Sequence, residues 1–206
     1  MFRIYSELCG KNIKLFLLPA VCSAMFLAAI LFIITEPQNC SAVYAARICQ
    51  EFFAWTGIFL LSPVFMPEQR DNIEESILSK AVPIKAIYLI RLAEALTALV
   101  LFAAGVVWIL LLLGAEIEFK RYFIHTFATA LLLGSLGFAG TRFSGNIGVG
   151  YIIAFGFYII QMFLPDEIIE KAHYIFIFTL RSETYSSIPI FIFSIVFIGV
   201  SFLKKH

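Results

Sequence analysis

Apolar runs of about 20 residues constrain this chain more than any other feature of its sequence. Six such runs can be drawn, and each has about the length that an α-helix needs to cross the hydrocarbon core of a bilayer. Hydrophobic residues make up 61% of the 206 residues and charged residues 14%, whereas soluble domains are nearer half apolar and a quarter charged. The sequence therefore predicts an integral membrane protein. Because backbone groups in lipid must be bonded internally, we expect every span to be helical.

We predict one all-α membrane domain over residues 1–206, with six transmembrane helices. The expected spans are approximately 15–34, 48–66, 87–113, 122–139, 147–164 and 188–203. The first run is too long for the apolar region of a signal peptide and has no A-x-A-like site after it, so we expect it to be retained. Before it, Phe2, Tyr5, Leu8 and Cys9 recur at helical spacing, which predicts a short helix in the membrane interface; a frayed terminus is the alternative.

The orientation of the spans follows from lysine and arginine, which are enriched in the cytosolic loops of membrane proteins. Ten of the 15 basic residues fall on one side: Arg3, Lys11, Lys14, Arg70, Lys80, Lys85, Arg91, Arg142, Lys204 and Lys205. The other side holds Arg47, Lys120, Arg121, Lys171 and Arg181 among acidic loops. We therefore predict that both termini and the loop between spans two and three are cytosolic.

That loop contains a compact charged segment, "EQRDNIEESILSKAVPIKAIYLIRL", which predicts a short amphipathic helix. Asp71 is placed to cap it, with Glu74 three residues later, and Pro83 ends it. Ile73, Ile77, Leu78 and Ala81 form its apolar stripe. An isolated helix of about ten residues is marginal in water, so it must pack on the bilayer, on the membrane domain or on a second protein. The alternative is a solvated loop.

This segment resembles the one that follows the second span in permeases of ABC-2 type transporters. The family pattern is an acidic run, Gly-Thr, a glutamate and leucines, then Ser-Lys-Pro-Val-Ser and a basic residue. Glu68 and Asp71 fall in the acidic run, Glu75 at the glutamate, Ile77 and Leu78 at the leucines, and Arg91 at the basic residue; Ser79, Lys80 and Val82 match directly. Asn72-Ile73 replaces Gly-Thr, and Ala81 and Pro83 replace Pro and Ser.

The resemblance extends to six spans, cytosolic termini, an N-terminal interfacial helix and a long outer loop before the last span. It implies that the charged segment is a coupling helix that docks on a separate ABC ATPase subunit. Its contact residues would be Glu68, Arg70, Asp71, Glu74, Glu75, Ile77, Leu78 and Lys80. We find no G-x-x-x-x-G-K-[ST] phosphate loop, so we expect no enzyme activity in this chain and ATP with magnesium on the partner. Six helices make half of a typical path, which implies a second permease copy or a paralogue.

The expected function is therefore export of a hydrophobic or amphipathic substrate across a bacterial cytoplasmic membrane. We expect membrane lipid as a partner and no nucleic acid. A first alternative is the substrate-capturing subunit of a vitamin uptake system, which has a similar size; "AMFLA", from Ala24 to Ala28, would offer it a small-xxx-small contact. A second alternative is a membrane protein that confers immunity or senses envelope stress without transport.

Several residues outside the charged segment also carry expectations. Arg91 and Glu94, one turn apart in the third span, predict a charged pair near the inner interface. Six glycines between Gly134 and Gly150 would let spans four and five approach closely, and Arg142 between those spans would anchor the topology. The outer segment 166–187 contains "YIFIF", which predicts either a re-entrant or interfacial helix or a loose loop.

The remaining polar residues show no catalytic or metal-binding pattern. His125 and His173 have no partner at a ligand spacing, so we expect no metal site. The four cysteines form no C-x-x-C pair. Cys40 and Cys49 flank the first outer loop, where either a disulfide or two free thiols would fit, and we favour free thiols.

Overall fold

The computed structural model of the chain describes residues 17–65, 84–165, 168, 177–178, 180 and 186–203. Every regular element within these ranges is helical. The all-α prediction is confirmed. Three predicted features lie outside the described residues: the N-terminal interfacial helix, the coupling helix and most of the outer segment 166–187.

The first helix, α1, covers Leu18–Thr35 and has a proline in its first turn. It ends at Glu36, whose φ of 40° takes the chain out of the helical region. Within the loop that follows, the Asn39 amide donates to the carbonyl oxygen of Leu113 at 2.9 Å. Residues 35–41 and 113–118 therefore lie at one end of the bundle, which we call the loop-rich end. The predicted topology assigns this end to the outer side.

The second predicted span is a chain of short helical pieces. Helix α2 covers Ala42–Arg47, a π-helical turn follows at Ile48–Phe52, helix α3 covers Trp55–Leu61, and a 3-10 turn closes it at Ser62–Phe65. It begins at Ala42 rather than at the predicted residue 48, because Ser41 caps it: the hydroxyl oxygen accepts from the Tyr44 amide at 3.4 Å.

The remaining helices follow the predicted spans closely. Helix α4 covers Ile84–Leu112, α5 covers Phe119–Ser144, α6 covers Ile147–Met162 and α7 covers Ile188–Leu203. Between α5 and α6, Gly145 adopts a φ of 71°, the left-handed conformation that commonly ends a helix. Asn146 then caps α6, its Oδ1 accepting from the Gly148 amide at 2.8 Å. The predicted inner turn is thus shorter than "GTRFSGN".

Within the described part of the chain, four helical segments are long and apolar enough to cross a membrane: Leu18–Thr35, Ala42–Phe65, Ala86–Leu112 and Phe119–Ser144. These helices indicate a membrane protein. Helices α6 and α7 are apolar but have 16 residues each. Sixteen residues give about 24 Å of helix, which is less than the hydrocarbon thickness of about 30 Å. The six-span topology therefore stays a prediction.

Helix α5 lies at the centre of the bundle. Its most apolar window is 72% buried and that of Ala42–Phe65 is 83% buried, compared with 18% for α1 and 39% for α4. Helices α3, α6 and α7 all pack against α5. The apolar surface of α1 and α4 is left at the periphery, where a bilayer would cover it.

Glycines set the closest approaches between these helices. A Cβ on Gly150 would meet the Gly137 carbonyl oxygen at 2.6 Å, and one on Gly140 would meet the Gly150 Cα at 3.0 Å. This confirms the predicted close packing of spans four and five. A Cβ on Gly134 would instead meet the Gly57 carbonyl oxygen at 2.6 Å, so Gly134 serves the contact between α5 and α3.

Candidate functional site

The described residues on either side of residues 66–83, the part of the charged segment's loop that precedes α4, include buried side chains. Phe65, the last described residue before it, is 1% exposed, and Tyr88, one turn into α4, is 2% exposed. The predicted ATPase contacts lie outside the described residues: Glu68, Arg70, Asp71, Glu74, Glu75, Ile77, Leu78 and Lys80. What the structure describes is how the two flanks of this segment are held.

Both flanks are held in one cluster of rings. The ring centroid of Phe65 lies 4.7 Å from that of Tyr88 and 4.5 Å from that of Phe138 on α5. Phe202 on α7 completes the cluster, 6.4 Å from Phe65 and 5.9 Å from Phe138. We call Phe65, Tyr88, Phe138 and Phe202 the aromatic anchor. Such pairs contribute about 0.5–1.5 kcal/mol each beyond burial.

Arg142 places a positive charge on the aromatic anchor. Its Cζ lies 5.1 Å from the Phe65 centroid and 5.7 Å from the Tyr88 centroid. It stands in the last turn of α5, where a cation also interacts favourably with the helix dipole. The sequence suggested a topology anchor in a short turn. The structure adds a contact with both flanks of the charged segment, and we call this end of the bundle the Arg142 end.

Arg91 ties the same two flanks through the backbone. Its Nη1 donates to the carbonyl oxygen of Val64 at 3.3 Å, and the side chain is buried. Glu94 lies one turn further along α4 and is half-buried. Their predicted pairing stays a prediction. The position of Arg91 links α4 to the 3-10 turn that precedes the charged segment.

At the loop-rich end, Gln50 is the centre of a buried hydrogen-bond network. It lies in the π-helical turn and is 1% exposed. Its Nε2 donates to Thr129 Oγ1 at 3.1 Å and to the Ile177 carbonyl oxygen at 3.2 Å. Its Oε1 accepts from the Leu180 amide at 2.7 Å. One side chain therefore binds both a donor and an acceptor of the outer segment.

Two further side chains hold the same stretch of the outer segment. Thr129 Oγ1 donates to the Ile177 carbonyl oxygen at 2.9 Å, and Gln161 Oε1 accepts from the Ile177 amide at 3.4 Å. Phe178 is fully buried beside Tyr158, with ring centroids 5.8 Å apart. At Ile177, Phe178 and Leu180 the outer segment is therefore packed into the bundle. The predicted helix in this segment lies outside the described residues.

An ion pair lies beside this network. Arg47 Nε donates to Glu51 Oε2 at 2.8 Å, and the two residues are one helical turn apart. The Arg47 side chain is 56% exposed and that of Glu51 is 3% exposed, so the pair reaches from the surface into the bundle. Tyr158 donates its hydroxyl to the Glu51 carbonyl oxygen at 2.8 Å, which fixes the backbone there.

The exposed half of this pair opens into a cleft of about 590 Å³, which we call the Arg47 cleft. Its polar lining comes from Ser41, Tyr44, Arg47, Gln50 and Glu51, and its apolar lining from Val43, Ala46, Phe178 and Leu180. Ligand sites commonly have volumes of 300–1,000 Å³ and combine apolar walls with a few polar groups.

His125 has a partner that the sequence did not reveal. Its Nδ1 lies 2.7 Å from Ser187 Oγ, which joins α5 to the start of α7. Across the residues that the structure describes, no three His, Cys, Asp or Glu side chains come together as a metal site would require. His173 lies outside the described residues.

Cys40 and Cys49 carry free thiols in the structure, and both are buried in the same apolar cluster. Burial raises the pKa of the Cys40 thiol above its ordinary value. A raised pKa keeps the thiol protonated and less reactive. Of the two arrangements that the sequence allowed, the structure contains the free thiols.

Sequence reasoning did not identify Gln50, Glu51, Thr129 or Gln161. A usable signal was present, since amide and carboxylate side chains inside apolar runs are costly in a membrane and are seldom accidental. Their partners could not be found in this way, because Gln50 and Ile177 are 127 residues apart in sequence.

Comparison of the chain with protein-family models, with curated proteins and with solved structures gives no match. The resemblance of the charged segment to ABC-2 permeases therefore depends on the residues quoted above.

Proposed function

We propose that this chain is the membrane-spanning permease subunit of an ATP-driven transporter of the ABC-2 type. In this proposal it exports a hydrophobic or amphipathic substrate, such as a lipid, a peptide or a drug, from a bacterial cytosol. A separate ABC ATPase subunit hydrolyses ATP, and a second permease copy or a paralogue completes the path.

The observation that carries the proposal is the way both flanks of the charged segment are held. A coupling element has to transmit movement, so its two attachments must stay joined while they move. Phe65 and Tyr88 are buried against each other, and Arg142 contacts both rings. A solvated loop of no function would need no such attachment.

The same contacts suggest how movement would pass into the membrane domain. Phe65 ends the 3-10 turn that follows α3, and Tyr88 belongs to α4, so a rotation of the charged segment would act on both helices together. Phe138 and Arg142 bring in α5, the central helix. Packed elements of this kind move as rigid bodies between discrete arrangements. The proposed motion is a joint tilt of α3 and α4 against α5.

The test is purification of the tagged chain from native membranes in mild detergent, with ATPase activity as the readout. Glu74→Lys together with Glu75→Lys reverses the charge of the proposed contact. Exposed interfacial charges contribute mainly to association rate and specificity, and a double reversal should lower recovery of the ATPase by about tenfold or more. The matched control is Glu116→Lys with Glu118→Lys, two exposed glutamates at the loop-rich end.

Loss of the ATPase from the first variant and its retention in the control would support the proposal. Equal recovery with both variants, or no nucleotide-hydrolysing subunit with the unmodified chain, would contradict it.

Arg142→Gln tests the attachment of the charged segment to the membrane domain separately from the docking of the ATPase on that segment. This variant keeps the charged segment intact and removes the cation from the aromatic anchor. We expect the ATPase to co-purify as before, while its hydrolysis no longer responds to the permease in reconstituted membranes. Normal response in this variant would contradict the role given to the anchor.

A further inference from the structure

We propose that the Arg47 cleft binds an anionic amphiphile, a molecule with one phosphate or carboxylate group beside an apolar chain. The proposal does not depend on the transport function. It is argued from the geometry of the ion pair, from the walls of the cleft and from its position along the helices.

The ion pair leaves most of the guanidinium available. Arginine has five N–H donors, and carboxylates are often bound by two of them in a bidentate arrangement. Here the only described contact of Arg47 with Glu51 uses Nε. Within the described ranges, the two terminal nitrogens have no hydrogen-bond partner. They are the groups that a second anion would contact.

Burial separates the two charges of the pair. Glu51 is 3% exposed and lies behind Arg47, which is 56% exposed. A molecule that enters the cleft from the surface therefore meets the cation first. Because Glu51 offsets part of that charge, an anion binds less tightly than it would to an isolated arginine. We therefore expect Glu51→Gln to bind an anion more tightly.

The walls of the cleft select for an apolar chain next to the anion. Val43 is 81% exposed at its rim, and the buried residues Ala46, Phe178 and Leu180 form its inner wall. A small inorganic anion would satisfy the guanidinium and leave the apolar rim at Val43 in contact with water. An amphiphile binds the guanidinium with its anionic group and covers the apolar surface with its chain.

The position of the cleft along the helices indicates that it lies at the level of the bilayer interface. It lies where α1 ends at Thr35 and the second span begins at Ala42. Tyr44 stands at this level and donates its hydroxyl to the Thr35 carbonyl oxygen at 2.8 Å, and tyrosines are enriched at membrane interfaces. Anionic phospholipids present a phosphate at this depth, and a soluble amphiphile arriving from outside presents the same chemistry.

The experiment measures binding of single lipids to the purified full chain by native mass spectrometry. The chain is titrated with phosphatidylglycerol and, separately, with phosphatidylcholine. We expect phosphatidylglycerol to bind about tenfold or more tightly, because the choline ammonium of phosphatidylcholine offsets the charge of its phosphate and is repelled by Arg47. Glu51→Gln should strengthen binding of phosphatidylglycerol.

Two variants remove the site and one serves as control. Arg47→Gln removes the cation and with it the ion pair of the buried Glu51, which can disturb folding. Arg47→Gln with Glu51→Gln removes both charges and avoids that problem, and both variants should lose the preference. Lys120→Gln removes an exposed positive charge at the start of α5, outside the cleft. This variant should keep the preference for phosphatidylglycerol.

Equal binding of the two lipids would overturn the proposal, as would an equal loss of preference in Lys120→Gln and in the double variant. The source of the ligand is decided by competition with dodecyl phosphate. Displacement of phosphatidylglycerol supports a site for single-chain soluble amphiphiles. Retention of the lipid supports a site for the membrane's own anionic lipids.

Discussion

At the Arg142 end a cation is held between aromatic rings, whereas at the loop-rich end neutral amide and hydroxyl groups are held by backbone atoms. Arg142 contacts Phe65 and Tyr88 face-on, and neither contact needs one fixed hydrogen-bond geometry. Gln50 makes three directional hydrogen bonds, and each fixes the position of its partner. The two ends should therefore differ in how well their contacts tolerate small movements of the helices.

A cation on aromatic rings tolerates small rotations, because the attraction depends on the ring face as a whole. A network of buried hydrogen bonds does not, since each broken bond leaves a buried polar group. The Arg142 end is therefore suited to transmit movement from the charged segment. The loop-rich end is suited to hold the outer segment and the wall of the Arg47 cleft in place.

The largest expected effect comes from breaking the close contact between α3 and α5. A methyl group in Gly57→Ala would overlap the backbone carbonyl of Ala130, which cannot move without shifting α5. We expect a loss of about 3 kcal/mol in the free energy of unfolding, at the upper end for overpacking. The measurement is unfolding in mixed detergent. The control is Gly105→Ala, where a Cβ meets nothing within 4 Å and no loss is expected.

The next effect concerns the hydrogen-bond network at the loop-rich end. Gln50→Leu introduces an apolar side chain of similar size and leaves the Leu180 amide without its described acceptor. We expect a loss of about 2 kcal/mol in the free energy of unfolding and faster amide exchange at Leu180. Gln161→Leu removes only a 3.4 Å hydrogen bond and should cost less. Equal costs would show that Gln50 is not the centre of the network.

A smaller effect is expected at the Arg142 end. Arg142→Gln removes the cation from two rings, and we expect a loss of about 1 kcal/mol in the free energy of unfolding. Arg142→Lys should recover part of it, because the charge is kept. A loss as large as that of Gln50→Leu would contradict the contrast between the two ends, since the Arg142 end would then be equally rigid.

The smallest effect is chemical and concerns the loop-rich end. Because burial raises the pKa of the Cys40 thiol, its thiolate forms at higher pH than in an exposed cysteine. In a chain whose other cysteines are replaced, alkylation of Cys40 near pH 7 should be several-fold slower than that of an introduced Gln38→Cys thiol, an exposed position in the same loop. The Cys40 rate should keep rising with pH after the Gln38→Cys rate has levelled. Identical pH profiles would mean that the loop opens readily.

Several elements of the fold were predictable from local signals. Helix α7 begins and ends at the predicted residues, since its apolar run has defined ends. The start of α2 was not predicted, although Ser41 is a favourable cap, because the polar loop before it hides the first helical turn. Arg47 was identified only as a basic residue of an outer loop. Its position in a helix is what places it one turn from Glu51.

The sequence by itself determined that the chain is helical and apolar enough to lie in a membrane, because those properties depend on composition and on hydrogen bonds within each helix. It also placed a turn between spans four and five, where the structure gives Gly145 a left-handed φ that favours glycine. Only the tertiary structure decided which polar residues meet. In spans that are apolar on every side, periodicity does not show which face is buried. The pairing of Gln50 with Ile177 and the contact of Arg142 with Phe65 follow instead from how closely α3 and α5 approach at Gly57 and Gly134.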